Sequence, residues 1–496
     1  MGSPVLVPYA SLIQVDRSLA TPVYLQVVHQ VINAIQRGYF SEGHKMPGSR
    51  RLAEILELHR NTVVASYAEL EAQGWITIVP NSGTYVSATR SERPRKLGTP
   101  AALLSTYPPK PGFAYRRWAQ LDDPFGQSHA RLAFDDGLPD PRMSHLHHLS
   151  RLLHTNMRRR SNQGKLSPRS QRGRGYYQEN LANFLNLTRG LHIAPSNMLI
   201  TRSQELSIYI VAETLISAGD HVMVGNPSYF ATNMILQKAG ARIMAVPVDE
   251  GGIDVDAVRA FCERYPLRLL YVTPHHHYPT TVTLQASRRL ALLELSAQYG
   301  FVILEDDYDY DFHYEGSPLL PMASADTQGM VVYVGTFGKS LASGFRSGFI
   351  VAPAPLINEM GKLLGIMDRY GDVLTELALG ELIEDGEIHR YLKKATLQYR
   401  ARRDHLATLL DQHLGGLVQY RKPAGGLAIW TRWSHAVNLM QLAKACAKRD
   451  LFLPLYLLYQ SKTHCGIRLG YGSLSPDELT EAVGTLAEAA GQIMQG

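Results

Sequence analysis

Apolar residues recur at helical spacing near the start of the chain, between Pro22 and Arg37. Two shorter helical patterns follow, from about Arg50 to Leu58 and from about Asn61 to Gln73. Ser49 precedes the second pattern and is expected to cap that helix. The segment therefore predicts three short amphipathic helices in close succession.

A strand-turn-strand pattern comes next, in which residues 75–79 and 84–86 alternate around a turn rich in proline and glycine. Three helices and a hairpin in ~70 residues predict a winged helix-turn-helix, which we assign to residues 20–88. The third helix of such a domain enters the DNA major groove, and its neighbours meet phosphates. A small helical interaction domain with solvated arginines would show the same pattern. The residues expected to contact DNA are Arg50, Arg51, Arg60, Asn61, Thr62 and Gly83.

The rest of the chain, residues 129–496, alternates apolar strand patterns with helical patterns. That alternation predicts a mostly parallel α/β sheet with helices on both faces. Ligands of such sheets bind beyond the carboxyl ends of the strands. Residues 89–128, between the two domains, are rich in proline and charge and are predicted to be a linker. The expected strands include residues 198–201, 221–224, 242–246, 269–272, 301–304 and 330–334.

Composition narrows the class of protein. A chain of 496 residues with 45% hydrophobic and 19% charged residues is expected to fold into two or three domains. Its net charge of +6 permits contact with nucleic acid without requiring it. Three scattered cysteines and no long apolar run predict a cytoplasmic protein without a membrane span. The basic tract from Arg158 to Arg174 could face DNA or, as we prefer, form a solvated loop.

Candidate chemistry follows the predicted strands. Lys339 comes shortly after one strand, and Arg346 lies seven residues further on. A lysine amine at a strand end can form a Schiff base with an aldehyde cofactor, and an arginine can fork onto a phosphate. Asp306 ends another strand and could keep a pyridine nitrogen protonated, while Tyr308 could bond a ring oxygen. The plain alternatives are two surface cations and a solvated acidic turn.

Three further motifs follow strands. Ser203 and Gln204 open a helix, where backbone N–H groups can bind a phosphate; Ser203 would cap that helix in either case. Tyr229 could stack on a planar ring or simply be half-buried. Residues 275–277 are three adjacent histidines, but neighbouring side chains in an extended run diverge, so no metal site is predicted.

Two stretches of the chain resemble known families. The sequence from Pro22 to Val86 resembles the GntR-type winged helix almost throughout. Residues 130–490 resemble the fold-type I aminotransferases, which use pyridoxal 5′-phosphate. The motifs that carry the second resemblance are FDDGLPDP, YVTPHHHYPTT, RRLALLELSAQYGFVILEDDYDYDFHY and VYVGTFGKSLASGFRSGF.

The aminotransferase resemblance implies a role for each motif residue. By it, Lys339 forms the internal aldimine, Asp306 pairs with the pyridine nitrogen and Tyr308 contacts the ring hydroxyl. Tyr229 would stack on the ring, and Arg468, in GIRLGYG, would grip an effector carboxylate. The phosphate would be held by Thr336, Arg346, Ser203 and Gln204.

Together the two stretches resemble the MocR/GabR family of bacterial regulators. This resemblance implies a head-to-tail homodimer that binds operator DNA and senses an amine or amino acid through external aldimine formation. One alternative is an active aminotransferase with an appended DNA-binding domain; another is a sensor of pyridoxal phosphate itself that controls vitamin B6 synthesis. Ser203, Gly338 and Thr281 depart from the residues usual in aminotransferases, which weighs against complete transamination and leaves an enzymatic role open.

Overall fold

The chain divides into two compact units, Met1–Arg116 and Arg117–Gly496. Most of the predicted linker, residues 89–128, lies outside the described residues and stays a prediction. No helix in the described part has both the length and the apolar character needed to cross a membrane. The computed structural model describes residues 9–18, 21–80, 82–87, 108, 110–115, 126, 128–144, 146–163, 172–337, 346–369 and 371–495.

The first unit is a winged helix-turn-helix, as predicted. Its strands form an antiparallel sheet in the order β1-β3-β2, and β2 and β3 form the wing. The apolar spacing of α2 is explained by its core positions, since Val27, Val28 and Val31 are fully buried. The elements of this unit are α1 Tyr9–Leu12, α2 Val23–Gln36, β1 Lys45–Met46, α3 Ser49–Leu56, α4 Arg60–Ala72, β2 Ile76–Val79 and β3 Gly83–Val86.

Two details of this unit differ from the sequence prediction. Ser49 does not cap α3: Gly48 is the N-cap residue, and no side chain caps this end. The Tyr67 hydroxyl donates to the Pro47 carbonyl at 2.6 Å, which fixes the chain just before the helix, so Ser49 is already helical. The core also includes Ile13, which lies before the predicted domain start at residue 20 and is 2% exposed.

The second unit is built around a mixed, mainly parallel sheet of eight strands, in the order β5-β12-β11-β10-β9-β6-β7-β8. Its strands are β4 Leu132–Ala133, β5 Met198–Thr201, β6 His221–Asn226, β7 Arg242–Asp249, β8 Gly252–Ile253, β9 Leu269–Val272, β10 Val302–Asp307, β11 Val331–Thr336, β12 Gly348–Val351, β13 Val418–Tyr420, β14 Ala428–Trp433, β15 Leu451–Phe452, β16 Leu458–Gln460 and β17 Cys465–Gly470. Its helices are α5 Leu146–Arg158, α6 Arg160–Gln163, α7 Arg172–Arg189, α8 Gln204–Leu215, α9 Phe230–Lys238, α10 Val255–Cys262, α11 Ala286–Tyr299, α12 Met322–Ala325, α13 Ala354–Met367, α14 Val373–Glu384, α15 Glu387–Leu414, α16 Leu439–Ala447 and α17 Pro476–Gln495.

Helices cover both faces of the large sheet, as predicted. Within β11, Val332 and Val334 pack in one core cluster with Ile208 of α8, whereas Tyr333 packs in another with Leu379 of α14. Successive strand residues point to opposite faces, so these clusters lie on opposite sides of the sheet. A four-stranded antiparallel sheet, β13-β14-β17-β16, forms a separate layer towards the C-terminus.

Strand β12 is the main departure from a parallel sheet. It pairs antiparallel with both β11 and β5, and Gly348 lies opposite Thr336 on one side and Thr201 on the other. The amino end of β12 therefore lies at the same sheet edge as the carboxyl ends of its two neighbours. This places Arg346, two residues before the start of β12, beside residues that follow β5 and β11.

The basic tract is more regular than the predicted loop. Arg158 ends α5, Arg160 begins α6 and Arg172 begins α7. Arg159, between the first two helices, forms an ion pair with Glu381 of α14. Residues 164–171 lie outside the described residues. The prediction of a loop across the tract is thus wrong at both of its ends, where helical packing orders the chain.

Candidate cofactor pocket and DNA-binding surface

A cavity of about 230 Å³ lies at the carboxyl ends of the parallel strands of the large sheet. Seven of the eight predicted cofactor-binding residues line it, and the eighth, Lys339, lies outside the described residues. The seven are Ser203, Gln204, Tyr229, Asp306, Tyr308, Thr336 and Arg346. The other described lining residues are Asp136, Leu138, Glu205, Ile208, Tyr271 and Tyr278.

Asp306 is the buried carboxylate of this cavity and is 3% exposed. The Tyr271 hydroxyl donates to its Oδ2 at 2.6 Å, and the Gln204 amide donates to its Oδ1. Burial raises the pKa of Asp306 to about 7, although both hydrogen bonds act to lower it. Within the described residues no basic side chain forms an ion pair with this carboxylate, so it faces the cavity with neutral donors only.

The adjacent carboxylate, Asp307, has the opposite environment. His275 Nδ1 lies 3.4 Å from its Oδ1, the Tyr333 hydroxyl donates to its Oδ2, and Arg189 lies 3.9 Å away. Burial acts to raise the pKa of Asp307, but these neighbours hold it at about 2. Asp307 is therefore a structural anion, whereas Asp306 has only neutral hydrogen-bond donors among the residues that the structure describes.

The end of the cavity near β5 is formed by hydroxyls and a helix N-terminus. Ser203 caps α8, since its Oγ accepts from the Leu206 N–H at 3.2 Å. The Thr336 hydroxyl donates to the Ser347 carbonyl at 2.9 Å and so joins the end of β11 to the start of β12. A Cβ at Gly348 would lie 2.6 Å from the Ser203 carbonyl carbon, so only glycine permits this close approach.

The resemblance implies that Gln204 holds the phosphate, but its side chain points elsewhere. Its side-chain amide is directed at Asp306, whereas its backbone N–H belongs to the first turn of α8. The side chain therefore orients the carboxylate, and the backbone remains placed to meet an anion at the helix N-terminus.

Tyrosines form the remaining wall. The Tyr308 hydroxyl donates to the His276 carbonyl at 2.7 Å, and the rings of Tyr229 and Tyr278 meet edge to face with centroids 4.6 Å apart. Arg468 is 1% exposed and is not among the described lining residues. Its guanidinium lies over the Tyr278 ring, 4.6 Å from the centroid. The predicted carboxylate-binding arginine is thus next to the cavity, covered by a tyrosine.

The three adjacent histidines have separate partners. His275 Nε2 meets the Leu319 carbonyl, His276 Nδ1 lies 2.8 Å from Asp309 Oδ1, and His277 Nε2 lies 2.9 Å from the Pro227 carbonyl. Burial lowers the pKa of His277 to about 4. Among the residues that the structure describes, no group of three or more potential ligand side chains is placed to hold a metal ion.

The predicted DNA-binding residues lie on one helix-turn-helix and its wing. Arg60 and Asn61 are exposed in the first turn of α4, and His59 caps that helix by accepting from the Asn61 N–H. Thr62 is half-buried in the same turn. In the first turn of α3, Arg50 and Arg51 are exposed, and Arg51 forms a 3.0 Å ion pair with Glu54. Gly83 begins the second wing strand with φ +137°.

Six of the described lining residues were missed by sequence reasoning, among them Tyr271 and Asp136. In the sequence, Tyr271 stands out only as a position in an apolar strand pattern, and Asp136 only as part of the motif FDDGLPDP. The apolar run of β9 does not reveal that Tyr271 donates a hydrogen bond to Asp306, because the two residues are 35 positions apart. The only hint in the sequence was the hydroxyl of Tyr271, a polar group within an otherwise apolar strand pattern.

Sequence comparisons agree with this two-part organisation. The aminotransferase class I and II profile matches residues 143–486, and the profile of bacterial regulatory proteins of the gntR family matches residues 23–86. The chain is 27% identical over 482 residues to "Probable rhizopine catabolism regulatory protein MocR" of Rhizobium meliloti, covering 96% of this chain and 95% of that protein. It is 25% identical over 486 residues to "HTH-type pyridoxine biosynthesis transcriptional regulator PdxR" of Corynebacterium glutamicum, covering 95% and 96%.

Solved structures similar to this chain include several aminotransferases. An archaeal alanine:glyoxylate aminotransferase matches with a TM-score of 0.67 and 26% identity, covering 73% of this chain and 91% of that one. LysN, an α-aminoadipate aminotransferase of Thermus thermophilus, matches with a TM-score of 0.68 and 22% identity, covering 73% and 93%. These matches confirm the predicted fold class of the large unit.

Proposed function

Because this chain belongs to the aminotransferase class I and II family and carries a gntR-family winged helix before that domain, we propose that it is a pyridoxal-phosphate-dependent transcriptional regulator of the MocR type. It binds operator DNA through the first unit and senses an amine or amino acid in the cavity of the second. We further propose that it acts in the cytoplasm as a head-to-tail homodimer, whose two winged helices match two half-sites.

The observation that carries the cofactor assignment is Asp306. When bound, pyridoxal 5′-phosphate supplies an aldehyde that condenses with primary amines. The described hydrogen-bond donors to this buried carboxylate, Tyr271 and Gln204, are neutral, and a protonated ring nitrogen would offset much of the cost of its burial. Tyr271 and Gln204 orient that carboxylate towards the cavity. The residues at this position therefore fit the cofactor.

The other lining residues fit the remaining parts of the same group. Ser203 and the first turn of α8 offer backbone donors to a phosphate, and Arg346 and Thr336 lie at the same sheet edge. Tyr229 and Tyr308 line the cavity where a planar ring would lie. Lys339 is proposed as the amine that holds the aldehyde until an effector replaces it.

The first unit supports the DNA-binding half of the proposal. Arg60 and Asn61 project from the exposed start of α4, the part of a recognition helix that reads base edges. Arg50 and Arg51 stand at the start of α3, where arginines and backbone N–H groups contact phosphates. A ligand changes operator affinity only by its difference in affinity for the two arrangements of the protein.

A spectral titration with operator binding measured in parallel tests the proposal. The purified holo-protein is titrated with amino acids, ω-amino acids, D-amino acids and simple amines, and its absorbance and operator affinity are recorded. We expect one class of amine to shift both signals together. Lys339→Ala should abolish the absorbance shift, whereas the exposed control Lys462→Ala should behave like the wild type.

The same experiment separates the alternatives. Steady formation of a keto acid from an amino donor would favour an aminotransferase with an appended DNA-binding domain. Operator affinity that responds to the cofactor alone would favour a sensor of pyridoxal phosphate. If the protein shows no absorbance of bound aldehyde and Lys339→Ala changes nothing, the cofactor assignment is wrong.

A further inference from the structure

Two carboxylates that the cofactor assignment leaves unused line the cavity, Asp136 and Glu205. Asp136 is half-buried in the segment after β4, and Glu205 is the second residue of α8. Among the described residues, neither carboxylate forms an ion pair or accepts a hydrogen bond from a donor. The cavity therefore has an acidic wall in addition to Asp306.

The arginine that could have attracted an effector carboxylate is occupied. Arg468 Nε donates to the Asp136 carbonyl at 3.0 Å, one terminal nitrogen donates to the Pro279 carbonyl at 3.1 Å, and the other to the Tyr308 hydroxyl at 3.4 Å. Tyr278, which lines the cavity, covers the guanidinium with its ring. The positive charge of Arg468 is thus held behind this wall, while the negative charges of Asp136 and Glu205 are on it. Arg346, a cation that does line the cavity, lies at the end formed by β5 and β11.

Tyr278 provides an independent observation that points to a ligand. It is 4% exposed and lines the cavity, and its hydroxyl, which neighbours that of Tyr459, makes no well-formed hydrogen bond among the described residues. A buried hydroxyl without a good partner is costly, and such groups are satisfied when a ligand binds. An ammonium group, with three donors and no acceptor, would suit both this oxygen and the neighbouring carboxylates.

We propose that the effector is an aliphatic diamine, whose second ammonium group is bound by Asp136, Glu205 and the Tyr278 hydroxyl. This inference rests on the proposed function, since the first amino group is the one that reacts with the cofactor aldehyde. An ω-amino acid of equal length would bring a carboxylate to the same acidic wall, where it is repelled. A monoamine of equal length would leave the carboxylates of Asp136 and Glu205 without a cationic partner.

Three four-carbon probes isolate the charge of the distal group. Putrescine carries a second ammonium group, butylamine carries none, and 4-aminobutyrate carries a carboxylate. Each is titrated into the holo-protein, with the apparent Kd taken from absorbance and from operator binding, and into the cofactor-free protein by calorimetry. We expect putrescine to bind the holo-protein at least about tenfold more tightly than butylamine, and 4-aminobutyrate to bind most weakly.

Variants that remove the charge of Asp136 or Glu205 test whether these carboxylates cause the preference for putrescine over butylamine. Asp136→Asn and Glu205→Gln should each reduce the ratio of putrescine to butylamine affinity, by about tenfold for the half-buried Asp136 and less for the exposed Glu205. Asp136→Asn should keep the butylamine affinity of the wild type, which shows that this variant folds and holds the cofactor. The exposed control Glu263→Gln should leave all three affinities unchanged.

The outcomes distinguish the diamine inference from the proposed sensor function on which it rests. If 4-aminobutyrate or an α-amino acid binds more tightly than putrescine, or if neither acidic variant changes the affinity ratio, the diamine inference is wrong and the sensor function stands. If no primary amine shifts the absorbance of the holo-protein, the proposed function fails and the inference fails with it.

Discussion

Replacing Asp306 by asparagine tests the cofactor site most directly. Burial raises the pKa of this carboxyl from 3.8 to about 7. At about 1.36 kcal/mol per pH unit, keeping the bare carboxylate charged therefore costs on the order of 4 kcal/mol. A protonated ring nitrogen would offset most of that cost, and the neutral asparagine cannot benefit in this way. Asp306→Asn should weaken binding of pyridoxal phosphate by at least about a hundredfold.

Asp306→Asn should stabilise the protein that holds no cofactor, although it weakens cofactor binding. The pKa of Asp306 is higher in the folded than in the unfolded state, so ionisation of this group lowers stability as pH rises from about 4 through about 7. Asp306→Asn removes that charge. Gln204 can turn its amide to accept from the new side chain, so the cofactor-free variant should melt a few degrees higher than wild type near pH ~8 and show no gain near pH ~4.

Asp307→Asn is the matched control. It removes the neighbouring carboxylate, which pairs with His275 and Arg189, so the cofactor-free protein should lose about 3 kcal/mol or more of stability. The measurements are calorimetric titration with pyridoxal phosphate and thermal melting across this pH range. The reasoning is refuted if Asp306→Asn binds the cofactor as tightly as wild type, or if it lowers the melting temperature at the alkaline end.

Three further predictions concern DNA binding and pH. Arg60→Ala should weaken operator binding at least about tenfold in a fluorescence anisotropy assay and leave the cofactor spectrum intact, and the exposed Arg37→Ala should change neither. Gly83→Ala, at φ +137° and with its Cβ 2.8 Å from Lys45 Cε, should destabilise the wing by about 1–2 kcal/mol in thermal melts and weaken operator binding; unchanged affinity would mean that the wing does not contact DNA. Affinity for pyridoxal phosphate should fall as pH drops below about 7, because Asp306 then takes up a proton, and a pH-independent affinity in calorimetry would contradict this assignment.

Local patterns predicted most of the secondary structure because helix and strand periods are set by neighbouring residues. The helices of the winged domain and the positions of the parallel strands along the chain follow from burial at those periods. The direction of β12 could not be predicted in this way, since an apolar run reads the same in either orientation. Its antiparallel placement depends on pairing with β5, about 150 residues earlier in the chain.

The gathering of the site residues was predictable to the extent that each follows a strand of one sheet. What the sequence could not supply is which side chain contacts which. Gln204 reaches Asp306 across 102 positions, and Arg189 meets Asp307 across more than a hundred, so their roles emerge only from the packed fold. The position of the Tyr278 ring over the Arg468 guanidinium likewise depends on the packed fold, and the sequence did not predict it.

The antiparallel strand β12 has a consequence for how this scaffold can change over time. Thr336 and Gly348 are direct partners across the sheet, and each of their strands has a second neighbour, β10 beside β11 and β5 beside β12. The register of both strands is therefore held from two sides. Substitutions elsewhere in the chain can accumulate while Thr336 and Ser347 keep their places at this edge of the sheet.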